Sequence, residues 1–233
     1  MLLLAVDTSG KQGSIALARC VTGESCTVLE VIALSGGAFS AQLVPQIAAL
    51  LEKHGYSKAD LGALAAVTGP GSFTGLRVGL AAVKGLAEAL QKPIVPVSRL
   101  EAVARSGAGS GRVLAILDAG RGDAYVGDYE VDMNSSTHSR MFSERLMSRE
   151  ELLAEAATAA NGMVIVTPDV ALAEVVRAAG IQVQQIDIDG PNAGVIARIG
   201  WDHLDSGNTV DPDQLEANYI RRSDAEIFSK PVR

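Results

Sequence analysis

The 233-residue chain has few of the side chains that usually announce a function. Aromatics make up only 4% of it, which leaves little for stacking platforms. Its three histidines, His54, His138 and His203, stand alone. None falls in the H-x-x-x-H or H-E-x-x-H spacing of a zinc site, so no metal is expected on this chain. No Gly-x-Ser-x-Gly elbow offers a nucleophile. The two cysteines, Cys20 and Cys26, have no second pair, which is neither a disulfide framework nor a zinc spacing; free thiols in a cytoplasmic protein are expected. Basic residues are outnumbered, 20 against 27, for a net charge of −7, the wrong sign for a chain that grips RNA by itself. No apolar run approaches the ~20 residues of a membrane span. The opening MLLLAVDTSG lacks a basic n-region, so no signal peptide is expected.

What the chain does have is small and apolar. Hydrophobic residues are 48%, with 24 glycines, which suits close packing of backbone on backbone. Residues 2–6 (LLLAV) read as a buried strand, 7–13 as a turn and 14–19 as the returning strand of a hairpin. A strand at 27–33 follows, then a helix over 40–54 marked by Leu43, Ile47, Leu50 and Leu51, with Pro45 placed in its first turn. A strand at 61–67, a helix at 75–90, a strand at 93–97 and a helix at 98–105 complete the first half. SGAGSGR, 106–112, reads as a linker. Beyond it "VLAILDAGRGDAYVGD" at 113–128 repeats "LLLAVDTSGKQGSIAL" at 2–17: five apolar residues, an Asp, a glycine-containing turn, an alternating strand. Helices at 148–160, 169–179 and 192–205 and strands at 163–167 and 181–188 are expected, while 143–151 reads as solvated charge and 211–233 as an irregular tail.

The segment "VTGPGSFTGLRVGLAAVKGLA", 67–87, resembles a phosphate loop but lacks its lysine and its metal-binding hydroxyl. Two readings stay open. Gly69, Pro70 and Gly71 turn the chain and Ser72 or Thr74 caps the helix, or the helix start, with Gly69, Gly71 and Ser72, holds an anion. Asp7, with Thr8 and Ser9, and Asp118 are the matching candidates for a nucleotide across a cleft. Each Asp equally well satisfies donors of its own turn. In the helix, Gly75, Gly79, Ala82 and Gly85 recur at three- and four-residue spacing. Glycine costs ~1 kcal/mol there, so a close neighbour is expected, either the 40–54 helix or a second polypeptide.

These pieces resemble the TsaB (YeaZ) family: "LAVDTSGKQGSIAL", "VTGPGSFTGLRVGLAAVKGLA", "PIVPVSRLEAVA" at 93–104, "LDAGRGDAYVGDYE" at 117–130 and, more weakly, "NYIRRSDAE" at 218–226. The resemblance implies an α/β chain of the ASKHA (actin/hexokinase/Hsp70-like) fold. It has two RNase H-like lobes, 1–105 and 106–233, each opening with an Asp-tipped hairpin, the tail free to pack back on the first. It implies a non-catalytic subunit in the formation of N6-threonylcarbamoyladenosine at position 37 of tRNA. The partners implied are a TsaD-type paralogue, forming a heterodimer, and a TsaE-type ATPase, with ATP and metal on those subunits and none here. tRNA is met only through the complex, no membrane is involved, and the isolated chain self-pairs as a homodimer. The interface implied lies on the first-lobe helices, at Leu43, Ile47, Leu76, Gly79, Leu80, Ala82, Val83 and Leu86. The chain departs from the pattern at Phe39, where a histidine is usual, at Ala41 for a glutamate and at Ala217 for a proline. The rival readings are a small-molecule kinase or a metallopeptidase of this fold, or a homodimeric scaffold with an unrelated partner.

Overall fold

The computed structural model describes residues 1–22, 26–107, 109–132, 139–158, 162–186 and 192–221. The first half forms β1 (Leu2–Asp7), β2 (Gly13–Arg19), β3 (Thr27–Leu34), α1 (Phe39–Lys53), β4 (Leu61–Gly69), α2 (Phe73–Leu90), β5 (Ile94–Ser98) and α3 (Arg99–Ser106). The second forms β6 (Gly111–Gly120), β7 (Asp123–Val131), β8 (Ser139–Ser148), α4 (Arg149–Thr158), β9 (Val164–Thr167), α5 (Val170–Ala178), β10 (Gln184–Gln185) and α6 (Ala193–Asp205). The strand order is β3-β2-β1-β4-β5 in one sheet and β10-β9-β6-β7-β8 in the other. Read from the outer meander strand inward, these are the same arrangement. In each sheet a three-stranded antiparallel meander is extended by two parallel strands. The repeat of Asp-tipped hairpins is therefore a repeat of whole sheets, the two-lobed RNase H-like plan of the ASKHA fold.

β1 and β4 lie inside their sheet and are covered on both faces, so they read as unbroken apolar runs. β3, at the edge, is mostly exposed or half-exposed. Helices cover both faces, and two of them cross between the halves. α3 sets Leu100, Val103 and Ala104 into the second sheet's core with Val113, Ala115, Leu117 and Tyr129. α6 returns the exchange, placing Ile196, Ala197 and Trp201 under Leu3, Ala5 and Ala65 of the first sheet. Buried Ser14 accepts the Ala193 N–H at 2.8 Å and so anchors the start of α6. The chain after α6 runs back along the first lobe. Val210 bridges Ile94, Leu215 is 2% exposed, and the Asn218 N–H donates to the Thr68 carbonyl at 2.8 Å.

Four expectations are corrected. Cys20 and Cys26 are not free thiols but a disulfide, because the antiparallel β2–β3 pairing, with Arg19 opposite Thr27, brings their Cα atoms to 4.2 Å. Pro45 lies inside α1, beyond its first turn, so the Ala41 carbonyl loses its i→i+4 donor. Of residues 143–151, read as solvated charge, 143–148 belong to β8, whose polar side chains meet other elements rather than water alone. The strand expected at 181–188 is reduced to Gln184–Gln185; 187–191 lie outside the described residues, as do His138 and the tail from 222.

Candidate functional site

The two Asp-tipped turns border one cleft of about 640 Å3, but their aspartates are used differently. Asp7 is 6% exposed, and its Oδ1 accepts the Ser9 N–H at 2.8 Å and the Ser9 hydroxyl at 2.6 Å. This is an Asx turn that satisfies its own backbone. Asp7 sits behind the turn, and Ser9, Gly10, Lys11 and Gln12 form the wall. Asp118 does line the cleft, accepting from Gly120 N–H and from Arg149, each at 3.2 Å, while its own N–H donates to Asp169 at 2.6 Å. Pro70, Gly71, Ser72 and Arg99 close the near side. Lys11 and Arg99 give this wall two cations suited to an anion.

The glycine segment explains how that wall is held. The Ser72 N–H donates to the Ser9 carbonyl at 2.7 Å, and the Thr8 hydroxyl donates to the Gly75 carbonyl at 2.7 Å. A Cβ at Gly71 would stand 2.4 Å from the Ser9 carbonyl oxygen, and one at Gly75 2.1 Å from that of Thr8. At Gly79 it would stand 2.2 Å from Thr8 Oγ1. Gly75 and Gly79 therefore press α2 against the chain's own first turn. Ser72 caps α2, its Oγ accepting the Gly75 N–H at 3.2 Å. Gly69 takes φ +127°, with the Asn218 carbonyl beside it.

The residues expected at a partner interface mostly face inward. Leu43, Ile47, Leu76, Leu80 and Val83 are 0–6% exposed and Gly79 is buried, all within this chain's own core. Ala82 and Leu86 are half-buried. These residues form the buried stripe of the two helices, and the exposed stripe is its opposite. On α1 that outer face carries Ala41, Val44, Pro45 and Ala48, with Val44 54% exposed. On α2 it carries Ala81, Gly85 and Ala89, and a Cβ at Gly85 would meet nothing within 4 Å. The two helices are neighbours, so a smooth apolar face with small side chains lies uncovered.

Two polar networks were invisible in the sequence because their members lie far apart in it. Glu144 accepts from Ser98, Tyr129 and Asn218, joining β8 to α3's cap, β7 and the returning tail. Burial and this carboxylate push the Tyr129 phenol well up. Glu101 accepts from Ser139 at 2.6 Å and pairs with His203 at 3.0 Å, beside the Arg105–Asp202 pair at 2.6 Å. These pairs clasp α3 to α6, the two exchanged helices. Burial alone would raise the Glu101 carboxyl, but the His203 hydrogen bond and charge hold it below its ordinary 4.5. Burial alone would lower His203; Glu101 and the Pro96 backbone raise it above 6.5. A raised histidine contributes fully below its unfolded pKa and loses that contribution as pH climbs through the folded value. A lowered carboxyl contributes fully above its unfolded pKa and loses it as pH falls through the folded value. The clasp is thus strongest between about 4.5 and 6.5. His203→Gln is expected to cost about 2 kcal/mol near pH ~5.5, the value of a hydrogen bond between charged groups, and much less near pH ~9. Urea titrations of both proteins at the two pH values check this; an equal loss at both would remove His203 from the clasp.

Among the described residues no group of three or more His, Cys, Asp or Glu is arranged to hold a metal ion. Among them, too, no helix is long and apolar enough to cross a membrane.

Two sheets of one topology, a cleft between their hairpins and an uncovered helical face define the class. Within it, the family model described as TsaD, tRNA N6-adenosine threonylcarbamoyltransferase, matches residues 33–187. The chain is 28% identical over 228 residues to the tRNA threonylcarbamoyladenosine biosynthesis protein TsaB of Escherichia coli (strain K12), covering 96% of each. It is 37% identical over 131 residues to TsaB of Bacillus subtilis (strain 168), covering 56% of each. A solved Pseudomonas aeruginosa protein, described as similar to peptidase YEAZ, superposes with TM-score 0.76 at 27% identity, covering 94% of this chain and 99% of that one. The chain belongs to this threonylcarbamoyltransferase-related family, and within it to the TsaB (YeaZ) branch.

Proposed function

We propose that the chain is a non-catalytic subunit of the cytoplasmic machinery that forms N6-threonylcarbamoyladenosine at position 37 of tRNA. The observation that carries this is the likeness to TsaB over 96% of both chains. The site agrees with it. Asp7, the first-hairpin acid that would address a metal–nucleotide, is occupied by its own turn. The uncovered α1–α2 face offers what a subunit acting through partners needs. The partner is a TsaD-type transferase whose equivalent helices pack on this face, with a TsaE-type ATPase joining the pair. ATP and metal are held by those subunits, tRNA is retained mainly by them, and the chain alone self-pairs through the same face.

Depleting the protein is expected to abolish the modified nucleoside, measured by mass spectrometry of digested tRNA, and a copy of the gene to restore it. Nucleoside levels unchanged on depletion would end this reading. The purified chain alone is expected to leave ATP intact. Turnover near ~1 s⁻¹, ordinary for an enzyme, would revive the kinase alternative.

A further inference from the structure

The fold brings together two short stretches that lie 142 residues apart, SFTGLR at the start of α2 and NYIR in the returning tail. Phe73 and Tyr219 meet there with ring centroids 5.2 Å apart, tilted by 37°. Both are 41% exposed, in a chain with few aromatics to spare. The Arg77 guanidinium lies 3.7 Å over the Phe73 ring, and its Nε donates to the Tyr219 hydroxyl at 3.3 Å. Among the described residues Arg77 pairs with no carboxylate; the Phe73 ring and the Tyr219 hydroxyl hold it there, with guanidinium donors beyond Nε to spare. Phe73 and Tyr219 line a concavity of about 400 Å3, walled by Tyr125 and flanked by Arg121 and Arg221; Arg77 stands outside that lining, over the Phe73 ring. Arg221 is tied to Asp123.

We propose that this pocket takes an unstacked nucleotide of single-stranded RNA, its base on the Phe73–Tyr219 surface and its phosphate at Arg77. Aromatic rings with an adjacent guanidinium are the recurrent chemistry for this ligand. Every base offers a π-face, and the phosphate takes the spare donors. The volume suits one small planar group; a partner helix would meet a flat face, as on the outer side of α1 and α2. Choosing RNA as the polyanion rests on the reading of this chain as part of a tRNA-modifying assembly.

The test is photo-crosslinking of the purified chain to a short single-stranded RNA carrying one 4-thiouridine, with the attached peptide identified by mass spectrometry. Crosslinks are expected on the peptides bearing Phe73, Tyr125 or Tyr219. Phe73→Ala and Tyr219→Ala should each weaken binding about tenfold, within the range for loss of one stacked base. Arg77→Gln should flatten the dependence of log affinity on log salt by about 0.7, one phosphate on a single strand. These side chains are exposed, so thermal melts of the variants should match the parent. Crosslinks elsewhere, or affinity unchanged in all three variants, would overturn the proposal. A nucleoside monophosphate that competes as well as the oligonucleotide would reassign the pocket to free nucleotides. Loss of the crosslink on adding the transferase-type partner would reassign it to a protein interface. Measuring the tRNA nucleoside in depleted cells is a separate readout. Crosslinking at the pocket with no nucleoside defect would sink the tRNA-modification reading but leave an RNA pocket standing.

Discussion

Replacing Gly79 with arginine is expected to destroy the isolated chain, not merely its assembly. A bare Cβ at this position would stand 2.2 Å from Thr8 Oγ1, and that hydroxyl is itself fixed by its 2.7 Å bond to the Gly75 carbonyl. Thr8 is 3% exposed, so neither partner has room to retreat. Even Gly79→Ala should cost about 1–3 kcal/mol by overpacking. Arginine adds a long side chain and an unpaired charge, and belongs with the rare changes that cost more than about 4 kcal/mol. At this chain length that lowers Tm by roughly 8–16 °C, enough for much of the protein to be lost on expression. A compensating change identifies the mechanism. Thr8→Ala removes both the clashing atom and the hydrogen bond, so Thr8→Ala with Gly79→Ala should be more stable than the two separate losses predict. Strictly additive losses, or a Gly79→Arg protein melting within ~2 °C of the parent, would refute the packing.

The same helix shows how far the sequence could be read. The helix expected at 75–90 is present as α2, and Gly75 and Gly79 have the close neighbour that their cost demanded. What spacing cannot supply is the identity of that neighbour. Gly75 and Gly79 meet the first turn of the same lobe, whereas Gly85, two turns on, meets nothing. A buried stripe is legible because burial is what selects apolar residues. An exposed stripe of Ala, Gly and Pro is faint, since small residues carry little hydrophobic signal. The repeat of Asp-tipped hairpins was legible because β1 and β6 have the same neighbours and so need the same pattern. Their difference in use, Asp7 turned inward and Asp118 open to the cleft, depends on side-chain partners that no alignment of the two halves displays. The exchange of α3 and α6 was hidden for a similar reason: either sheet accepts an apolar helix, and the Arg105–Asp202 and Glu101–His203 pairs that tie the two together lie about a hundred residues apart in sequence. Cys20 and Cys26 looked unpaired by spacing, and the antiparallel register that sets Arg19 opposite Thr27 brings them together.

Replacing Gly85 with arginine should have the opposite pattern from Gly79: an intact chain that cannot assemble. Gly85 is exposed in mid-helix, with no atom near where its Cβ would be. Glycine there costs ~1 kcal/mol relative to a good helix former, so at concentrations low enough to keep the parent monomeric the isolated variant should melt roughly 2–4 °C higher than the parent. A residue that weakens its own helix without serving any contact in the chain needs a reason outside the chain. The neighbouring Ala81 and Ala89, with Ala41, Val44 and Ala48 across on α1, supply the rest of a face on which a second helix can pack backbone to backbone. Arginine at its centre would hold the helices apart or be buried without a counter-charge, at a cost of several kcal/mol. Against a micromolar contact worth ~8 kcal/mol, that is a loss of at least a hundredfold. Size-exclusion chromatography with the transferase-type partner should show two separate peaks for Gly85→Arg. The modified tRNA nucleoside should disappear from cells carrying only this variant. Gly85→Ala is the control: it keeps most of the gain in helix stability and adds only a methyl group, so pairing should survive. A well-folded Gly85→Arg protein that still co-elutes with the partner would place the interface elsewhere on the molecule.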